Sequence, residues 1–446
     1  MANTYLTRTP SSAGNRRTFT ISTWVKRSSI ASGSKTIFGI GNSSSSTSDA
    51  DWFSLAFNGS TNRIRSVQYN TVIFDSNRLF RDTSAWYHIV YAVDTTQGTA
   101  SDRVKVYING VQETSFATVN YPSQNYDFVV NTTVPHMIGR EDGNGSGYFD
   151  GSMSYVALVD GTAELPTIFG ETDSVTGQWK IKTDITPSVA WGTNGFLILK
   201  NGNSLTDEST NSNNFTLGGG TLTNTLDCPD NVFATFNSLA RFPVAPTYSN
   251  GNNTTTAGAG GSGSSPFSTI GASSGKYYAE LSLGSVNGGG ISCGIIDITQ
   301  FNPNFQTDAW FYYPTYGYAY MSSNGKKGNN NAEANYANSY TNGDRIGVAM
   351  DLDNNKLYFA KNGVWQNSGD PTSGATGTGA AFTIADGTYG FAVYGYQEKV
   401  WYANFGNGTF GTSAVTSAGT AGSTPGTFEY DVPSGYQPLS TKGLNA

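Results

Sequence analysis

The chain has few of the residues that build disulfides, metal sites and charged surfaces. Its 446 residues include two cysteines and two histidines, and charged residues make up 13 % of it, about half of the ~25 % in typical soluble proteins. Cys228 and Cys293 are too few for a disulfide framework, and we expect two separate buried thiols. The absence of His-x-x-x-His and Cys-x-x-Cys motifs excludes a zinc site, and we expect structural, hydrogen-bonded roles for His88 and His136.

Basic clusters and long apolar runs are absent too. The net charge is −7, and the one dense basic group, at positions 16–17 and 26–27, would be scattered over two faces of a strand. Binding to nucleic acid is therefore not expected, because it needs clustered Lys and Arg. No stretch approaches the ~20 apolar residues of a membrane span. We expect synthesis in a cytoplasm without a signal peptide, and no membrane insertion.

Glycine and aromatic residues are plentiful, with 54 Gly, 26 Tyr and 8 Trp. Apolar residues alternate with period two in many short segments, and no helical period of 3.6 persists. The residues at 104, 106 and 108, for example, are Val, Val and Ile, with Lys105 and Tyr107 between them. These patterns predict an all-β protein with less than ~10 % helix, well below the ordinary share.

A hairpin pattern occurs twice and predicts two domains of similar architecture. Residues 89–94 lead through a turn to 104–112, and residues 346–351 lead to 356–366. Each copy reads apolar strand, Asp, turn, alternating strand, and then Asn109-Gly110 or Asn362-Gly363. Because Asn-Gly tolerates positive φ, each pair predicts a tight turn. We place the boundary between the domains at about residues 220–245.

Low-complexity stretches refine this division. Residues 249–265 consist only of Ser, Asn, Gly, Thr and Ala, and residues 411–427 are similarly poor in apolar side chains. The predicted organisation is a sandwich over 1–165, a connecting segment over 166–234 that packs on or completes it, a second sandwich over 235–410, and a low-complexity and C-terminal segment over 411–446.

Each half contains an ordered series of motifs that are typical of a known domain type. In the first half these are 17–26 (RTFTISTWVK), 36–41 (TIFGIG), 86–90 (WYHIV), 106–110 (VYING), 136–140 (HMIGR) and 149–154 (FDGSMS). In the second half they are 274–280 (SGKYYAE), 343–353 (GDRIGVAMDLD), 357–363 (LYFAKNG) and 403–406 (ANFG). By these motifs the first half resembles the laminin-G-like, concanavalin-A-like jelly rolls, and the second half resembles SPRY-type sandwiches. Both resemblances imply antiparallel β-sandwiches in tandem.

The connecting region and the end contain further motifs. They are 169–172 (FGET), 177–180 (GQWK), 195–199 (GFLIL), 212–216 (SNNFT) and 433–440 (PSGYQPLS). These segments are similar to segments of marine bacteriophage structural proteins that join a laminin-G-like domain to a SPRY-like one. This resemblance implies a virion-surface protein, either a tail fibre or a head fibre or decoration. It also implies other virion proteins and a host-surface glycan or receptor as partners, and a homo-oligomer, trimeric if a fibre.

The carboxylates do not form a convincing catalytic pair. Glycoside hydrolysis needs two carboxyls across the scissile bond. Glu141-Asp142 with Asp150 lies among glycines, and Asp351-x-Asp353 opens a hairpin loop, where Asp caps its own backbone. The latter also copies the start of a calcium loop but lacks its glycine and final glutamate. We therefore expect no enzyme and no cofactor, with a glycan-cleaving depolymerase as a lesser alternative. Calcium remains a weak candidate at a loop rim formed by Asp49, Asp51, Asp142 and Asp150.

The strongest candidate for a binding surface is aromatic. Residues 310–320 hold seven aromatic residues in eleven. The consecutive Trp310, Phe311, Tyr312 and Tyr313 cannot all point to one side of a strand, so we expect some of them to contact a ligand or partner, with Trp52 as a lesser candidate. Two interpretations stay open: a glycan- or receptor-binding surface, and a purely structural interface that decorates the particle.

Overall fold

The structure is a computed structural model that describes residues 3–30, 32–42, 52–141, 145–240, 244–259, 263–284, 291–300, 310–420 and 424–445. The chain divides into two compact units, Met1–Asn224 and Thr225–Ala446. Strands dominate both, and the described part of the chain holds no α-helix, which confirms the all-β prediction. Its helical segments are single 3-10 turns at Ala100–Asp102, Pro166–Ile168, Thr186–Ser188, Gln366–Ser368, Gly374–Thr376 and Gly443–Asn445. In these ranges no helix is long and apolar enough to cross a membrane.

The first unit is a sandwich of two antiparallel sheets. Their orders among the described residues are β10-β6-β5-β4-β3-β11-β1-β16 and β15-β12-β2-β7-β8-β9. Side chains alternate along β2, so that Phe19, Ile21 and Val25 enter the core between the sheets. The strands are β1 (Tyr5–Arg8), β2 (Thr18–Arg27), β3 (Ser34–Ile40), β4 (Phe53–Asn58), β5 (Arg63–Gln68), β6 (Thr71–Ser76), β7 (Trp86–Asp94), β8 (Val104–Ile108), β9 (Val111–Glu113), β10 (Phe116–Val119), β11 (His136–Ile138), β12 (Gly151–Asp160), β13 (Gly170–Thr172), β14 (Trp179–Ile181), β15 (Phe196–Ile198) and β16 (Thr216–Gly219).

The predicted connecting segment is part of this sandwich as far as residue 224, and its last residues, 225–234, belong to the second unit. Strand β15 pairs with β12, and β16 pairs with β1, so the segment adds a strand to each sheet. The β13–β14 hairpin and the residues after it cover the outer face of the six-stranded sheet, where Phe169, Ile185, Val189 and Trp191 form a second apolar cluster. The six-stranded sheet is therefore buried on both faces.

The second unit is also an antiparallel sandwich. One sheet has the order β17-β18-β29-β19-β24-β25-β26 with β27 on β25, and the other has the order β23-β22-β21-β20-β28 among the described residues. The strands are β17 (Thr247–Ser249), β18 (Thr254–Thr256), β19 (Lys276–Leu283), β20 (Ser292–Asp297), β21 (Gly317–Met321), β22 (Lys327–Asn329), β23 (Ala332–Ala334), β24 (Arg345–Asp351), β25 (Lys356–Lys361), β26 (Val364–Trp365), β27 (Phe382–Thr383), β28 (Tyr389–Tyr394), β29 (Val400–Asn404), β30 (Thr409–Phe410) and β31 (Ser413–Ala414).

The C-terminal segment closes the second unit. Gln437 bridges to Tyr277 of β19, Ser440 bridges to Phe233 near the start of the unit, and Leu439 is fully buried in the main core. Phe428 and Tyr436 pack on the outer face of the larger sheet. Residues 424–445 therefore belong to the folded domain, although residues 411–427 look like a linker in sequence.

Both Asn-Gly pairs form tight turns, as the repeated hairpin predicts. Asn109 and Gly110 have φ of 49° and 80°, and Asn362 and Gly363 have φ of 50° and 78°. An aromatic ring from a downstream segment covers each glycine. A Cβ on Gly110 would lie 2.4 Å from the Trp179 ring, and the second turn is covered in the same way by Tyr430.

Candidate functional site

The outer face of the five-stranded sheet in the second unit has a floor of small residues. Tyr318 and Tyr320 of β21 face the main core, so Gly317 and Ala319, which alternate with them along the strand, face outward. On the neighbouring strand, a Cβ added to Gly328 would lie 2.7 Å from the Tyr312 ring, and one on Gly317 would lie 1.8 Å from the carbonyl oxygen of Phe311. The floor therefore lets residues 310–316 lie directly against the sheet.

Two of the four predicted aromatic residues are buried against this floor. Phe311 is 2 % exposed and Tyr312 is 3 % exposed. Both pack in an apolar cluster on the outer face of the sheet. The Tyr312 hydroxyl donates to Oε1 of Glu333 at 3.3 Å, and burial raises the pKa of this tyrosine. These two rings thus contribute to folding and offer no free ring face to a partner.

The other two aromatic residues reach the surface. Trp310 is half-buried and stacks on Tyr394, with ring centroids 4.3 Å apart and planes 16° apart. Tyr313 is 37 % exposed and meets the edge of Tyr312 at 5.2 Å. Tyr396, also half-buried, lies 6.4 Å from Tyr394. We call Trp310, Tyr313 and Tyr396 the aromatic surface; the prediction that it contacts a ligand stays a prediction.

The polar atoms of the aromatic surface are unengaged within the described part of the chain. Among the described residues, no acceptor or donor lies within hydrogen-bonding distance of the Trp310 indole N–H or of the Tyr313 and Tyr396 hydroxyls. Buried tyrosine and tryptophan normally find such a partner, whereas rings with one apolar and one polar end are typical of recognition surfaces. These three groups can therefore bond to a ligand without breaking a hydrogen bond to any described residue.

A two-residue turn missed by the sequence analysis borders this surface. Asn330 and Asn331 join β22 to β23 with φ of 52° and 54°. Their backbone N–H groups donate to the carbonyls of Pro314 and Tyr312, both at 3.4 Å. Within the described part of the chain, neither carboxamide has a hydrogen-bond partner. The sequence signal was the Asn-Asn pair between two short strands, a pattern that favours positive φ.

The charges beside the aromatic surface neutralise each other. Lys326 and Glu333 form an ion pair with 3.3 Å between Nζ and Oε2, and each side chain is 38 % exposed. Lys399 lies 5.8 Å from the centroid of the Tyr396 ring and is itself buried. The surface therefore combines aromatic rings, hydroxyls and carboxamides, with little net charge from its described neighbours.

Trp52, the lesser candidate, lies in the first unit just before β4. It is half-buried, and its carbonyl oxygen accepts the backbone N–H of Tyr69 at 2.9 Å. Tyr69 is 42 % exposed and has φ of 58°, an uncommon conformation for a bulky residue. The prediction that Trp52 contacts a ligand or partner stays a prediction.

Three of the four calcium candidates, Asp49, Asp51 and Asp142, lie outside the described residues. The fourth, Asp150, accepts a hydrogen bond from the Ser29 hydroxyl at 2.8 Å. The described ranges contain no group of three or more His, Cys, Asp or Glu residues that could hold a metal ion.

The two cysteines do not form a disulfide. Cys293 is buried, Cys228 is half-buried, and both are free thiols.

The carboxylates of the Asp351-x-Asp353 motif are engaged in structural bonds. Asp351 is fully buried, pairs with Lys276 at 3.0 Å and accepts hydrogen bonds from Asn354. Asp353 accepts the backbone N–H of Gly275 at 2.7 Å. Both residues hold the hairpin against β19, as an Asp at a loop start does.

One serine–histidine pair has the spacing of a nucleophile and its base. Ser22 Oγ lies 2.9 Å from His88 Nε2, and the Trp179 indole N–H donates to Nδ1 of the same ring at 3.0 Å. Because indole can only donate, Nδ1 is the acceptor and the proton of the neutral ring is on Nε2. His88 thus has no free base nitrogen facing Ser22, and burial lowers its pKa to about 3.

Comparison with known proteins identifies two domain types. Residues 2–168 match the laminin-G model described as the concanavalin A-like lectin/glucanases superfamily, and residues 280–413 match the SPRY domain model. No curated protein matches the chain. Similar solved structures include the SPRY domain of human HERC1, with 19 % identity over 38 % of this chain and 96 % of that one and a TM-score of 0.30. Stonustoxin is 16 % identical over 38 % of this chain, with a TM-score of 0.29, and the match spans 27 % of the stonustoxin chain.

Proposed function

We propose that the chain is a non-catalytic, two-domain binding protein on the surface of a virion, where it binds a host-surface glycan or protein. The concanavalin A-like and SPRY domains suggest a ligand- or protein-binding role. The observation that carries the proposal is the aromatic surface, because Trp310, Tyr313 and Tyr396 combine partly exposed rings with polar atoms that no described residue engages. Aromatic residues of this kind are enriched at binding surfaces.

The absence of catalysis is part of the proposal. It is supported by the structural bonds of Asp351 and Asp353 and by the tautomer of His88, which leaves Ser22 without a base.

Assignment to a virion rests on the resemblance of residues 169–216 and of residues 433–440 to bacteriophage structural proteins. On a virion, many copies act together, so that a site with a Kd of about 1 mM suffices.

The rival function is structural decoration, in which the aromatic surface is covered by a neighbouring subunit. An antibody against the chain, used to label purified particles in electron micrographs, tests the location on the virion. Adsorption tests the role: we expect the purified chain to compete with particles for host cells. Particles without label would overturn the virion assignment. Labelled particles whose adsorption is unaffected by excess purified chain would favour the structural function.

A further inference from the structure

The aromatic surface and the Asn330–Asn331 turn together have the chemistry of a sugar site. The rings supply apolar faces, while the indole N–H, the two tyrosine hydroxyls and the two carboxamides supply donors and acceptors. A pyranose ring has the matching pattern, with C–H groups on one face and hydroxyls around its edge. We infer that this surface binds a neutral saccharide; this inference rests on the proposed binding function and narrows its ligand.

A series of ring contacts, which we call the strip, connects the aromatic surface; its Tyr394 and Tyr312 rings are buried. Successive rings from Tyr396 through Tyr394, Trp310 and Tyr312 to Tyr313 have centroids 4.3–6.4 Å apart. The Asn330–Asn331 turn is bonded to the same stretch through the carbonyls of Tyr312 and Pro314. The Asn330–Asn331 turn therefore lies beside the Tyr312 and Tyr313 end of the strip, and Tyr396 lies at the other end.

Electrostatics favour a neutral sugar over an acidic one. Recognition of carboxylate, sulfate or phosphate groups normally uses Arg or Lys in direct contact with the anion. Here Lys326 is paired with Glu333, and the Lys399 side chain is 2 % exposed. The described charges offer no free cation to an acidic ligand, whereas uncharged hydroxyls are matched by the uncharged polar atoms of the strip.

The same features disfavour a protein partner. Centres of protein interfaces are enriched in Arg and Met as well as aromatic residues, and they exclude water from a large apolar area. At this strip Trp310 has one face covered by Tyr394, and Phe311 and Tyr312 are 2–3 % exposed. Among the described residues, the strip thus exposes single ring faces, which suit one or two sugar units.

The first experiment is a saccharide array probed with the intact chain displayed on multivalent beads. The array carries neutral hexoses and N-acetylhexosamines, and uronic, sialic and sulfated sugars. We expect retention on neutral saccharides that changes little between low and high salt, because no ion pair is formed. Retention only on acidic sugars, or a steep loss with salt, would overturn the inference.

Variants locate the site. Trp310→Ala and Tyr313→Ala should each weaken retention about tenfold or more, since a stacking face is lost. Asn330→Gly with Asn331→Gly removes both carboxamides and keeps the turn, because glycine adopts positive φ freely; we expect a loss of about fivefold or more. Two controls should bind normally: Val364→Ala, an exposed residue of the same domain, and Asn125→Gly, an exposed asparagine with φ of 62°.

Melting curves and the adsorption assay complete the test. Melting curves show whether each variant is folded, and Trp310→Phe, which keeps a ring on Tyr394, replaces Trp310→Ala if that variant unfolds. Normal saccharide binding by the folded Tyr313→Ala variant and the folded double-Asn variant would overturn the inference. The adsorption assay of the proposed function is run on the same preparation. Competition with particles but no saccharide binding would overturn the saccharide ligand alone and favour a protein receptor. Failure of both assays would overturn the binding function as well.

Discussion

Asn109 and Asn362 hold equivalent positions in the two sandwiches and make the same pair of bonds. Each side-chain oxygen accepts a backbone N–H at 2.8 Å, from His88 in the first unit and from Arg345 in the second. In return, the backbone N–H of Asn109 donates to the carbonyl oxygen of His88 at 2.9 Å, and that of Asn362 donates to the carbonyl oxygen of Arg345 at 2.8 Å. The asparagine thus ties the turn of its hairpin to the preceding strand, which explains why the Asn-Gly pair occurs in both halves.

Replacing either turn glycine by valine should destabilise its domain. Gly110→Val and Gly363→Val place a β-branched residue at φ of 80° and 78° and drive its Cβ into the ring of Trp179 or Tyr430. We expect a loss of about 2 kcal/mol or more in the free energy of unfolding, measured by urea denaturation.

Gly343 is the matched control for this prediction. It has φ of 84° but nothing within 4 Å of an added Cβ, so Gly343→Val isolates the cost of backbone strain. We expect it to lose about 1 kcal/mol. Equal losses of unfolding free energy in all three variants would show that contact with the Trp179 and Tyr430 rings adds nothing to the cost of the substitution.

Glu280 anchors the C-terminal segment to β19. Its buried carboxylate accepts the backbone N–H groups of Glu429 and Tyr430, both at 2.8 Å, and bonds from Tyr278 and Asn404 at 3.2 and 3.4 Å. Glu280→Ala leaves these donors without an acceptor, and we expect a loss of about 3 kcal/mol in urea denaturation of the second unit. The exposed Glu398 serves as the control, and Glu398→Ala should have little effect. Similar stabilities for the two variants would contradict the anchoring role.

The same residue should make the second unit less stable as the pH rises. Burial outweighs the four hydrogen bonds and raises the pKa of Glu280 to about 7, above its ordinary value of 4.5. A raised pKa means that the folded state holds the proton more tightly, so its contribution is present at low pH and lost as the pH rises from 4.5 through 7. Glu280→Gln should abolish this slope in unfolding measurements; an unchanged slope would assign it to other groups.

The first unit should respond to pH in the opposite direction. Burial lowers the pKa of His88 to about 3 and of His136 to about 4. Because both values are depressed from 6.5, the stabilisation is complete above pH 6.5 and lost as the pH falls toward 4, by roughly 1.4 kcal/mol per pH unit for each histidine. These are the only histidines in the chain, so their NMR titration checks the pKa values directly. Ring signals that titrate near 6.5 would contradict the prediction.

Two leucines near the C-terminus test whether this segment belongs to the domain. Leu439 is fully buried in the main core, and Leu444 is 39 % exposed. Leu439→Ala should lose about 3 kcal/mol of unfolding free energy through the cavity it leaves, and Leu444→Ala should lose less than about 0.5 kcal/mol. Denaturation curves of the two variants that coincide would mean that residues 424–445 are dispensable.

The sequence predicts the strands and hairpins well but locates the binding surface only in part. Alternation identifies β8, β24 and β25, because a half-buried strand must place apolar residues two apart. The same rule led to the expectation that Trp310–Tyr313 needed an outside partner, on the assumption that a sheet has one apolar side. This assumption is wrong for the five-stranded sheet, because Gly317 and Gly328 leave room for Tyr312 to pack on its outer face.

The features that the sequence did not predict have one physical cause in common: they depend on contacts between residues that are distant along the chain. The unengaged amides of Asn330 and Asn331 gain meaning only beside Trp310 and Tyr313, and nothing in local propensity reveals this proximity. Likewise, nothing near Glu429 and Tyr430 in the sequence indicates that they are held in the domain, because their bonding partner, Glu280, lies about 150 residues earlier. Contacts of such separation depend on the finished topology rather than on patterns within a short window.

The pairing of β1 with β16 has a consequence for how the protein is made. Strand Tyr5–Arg8 is synthesised more than 200 residues before its neighbour in the sheet, Thr216–Gly219. Asp230 and Lys442 repeat this arrangement at the two ends of the second unit, where they form an ion pair. Each domain therefore closes its own ends only when translation of that domain is complete. Until then an unpaired strand edge stays open, and nascent chains crowded on one message are exposed to mispairing with each other.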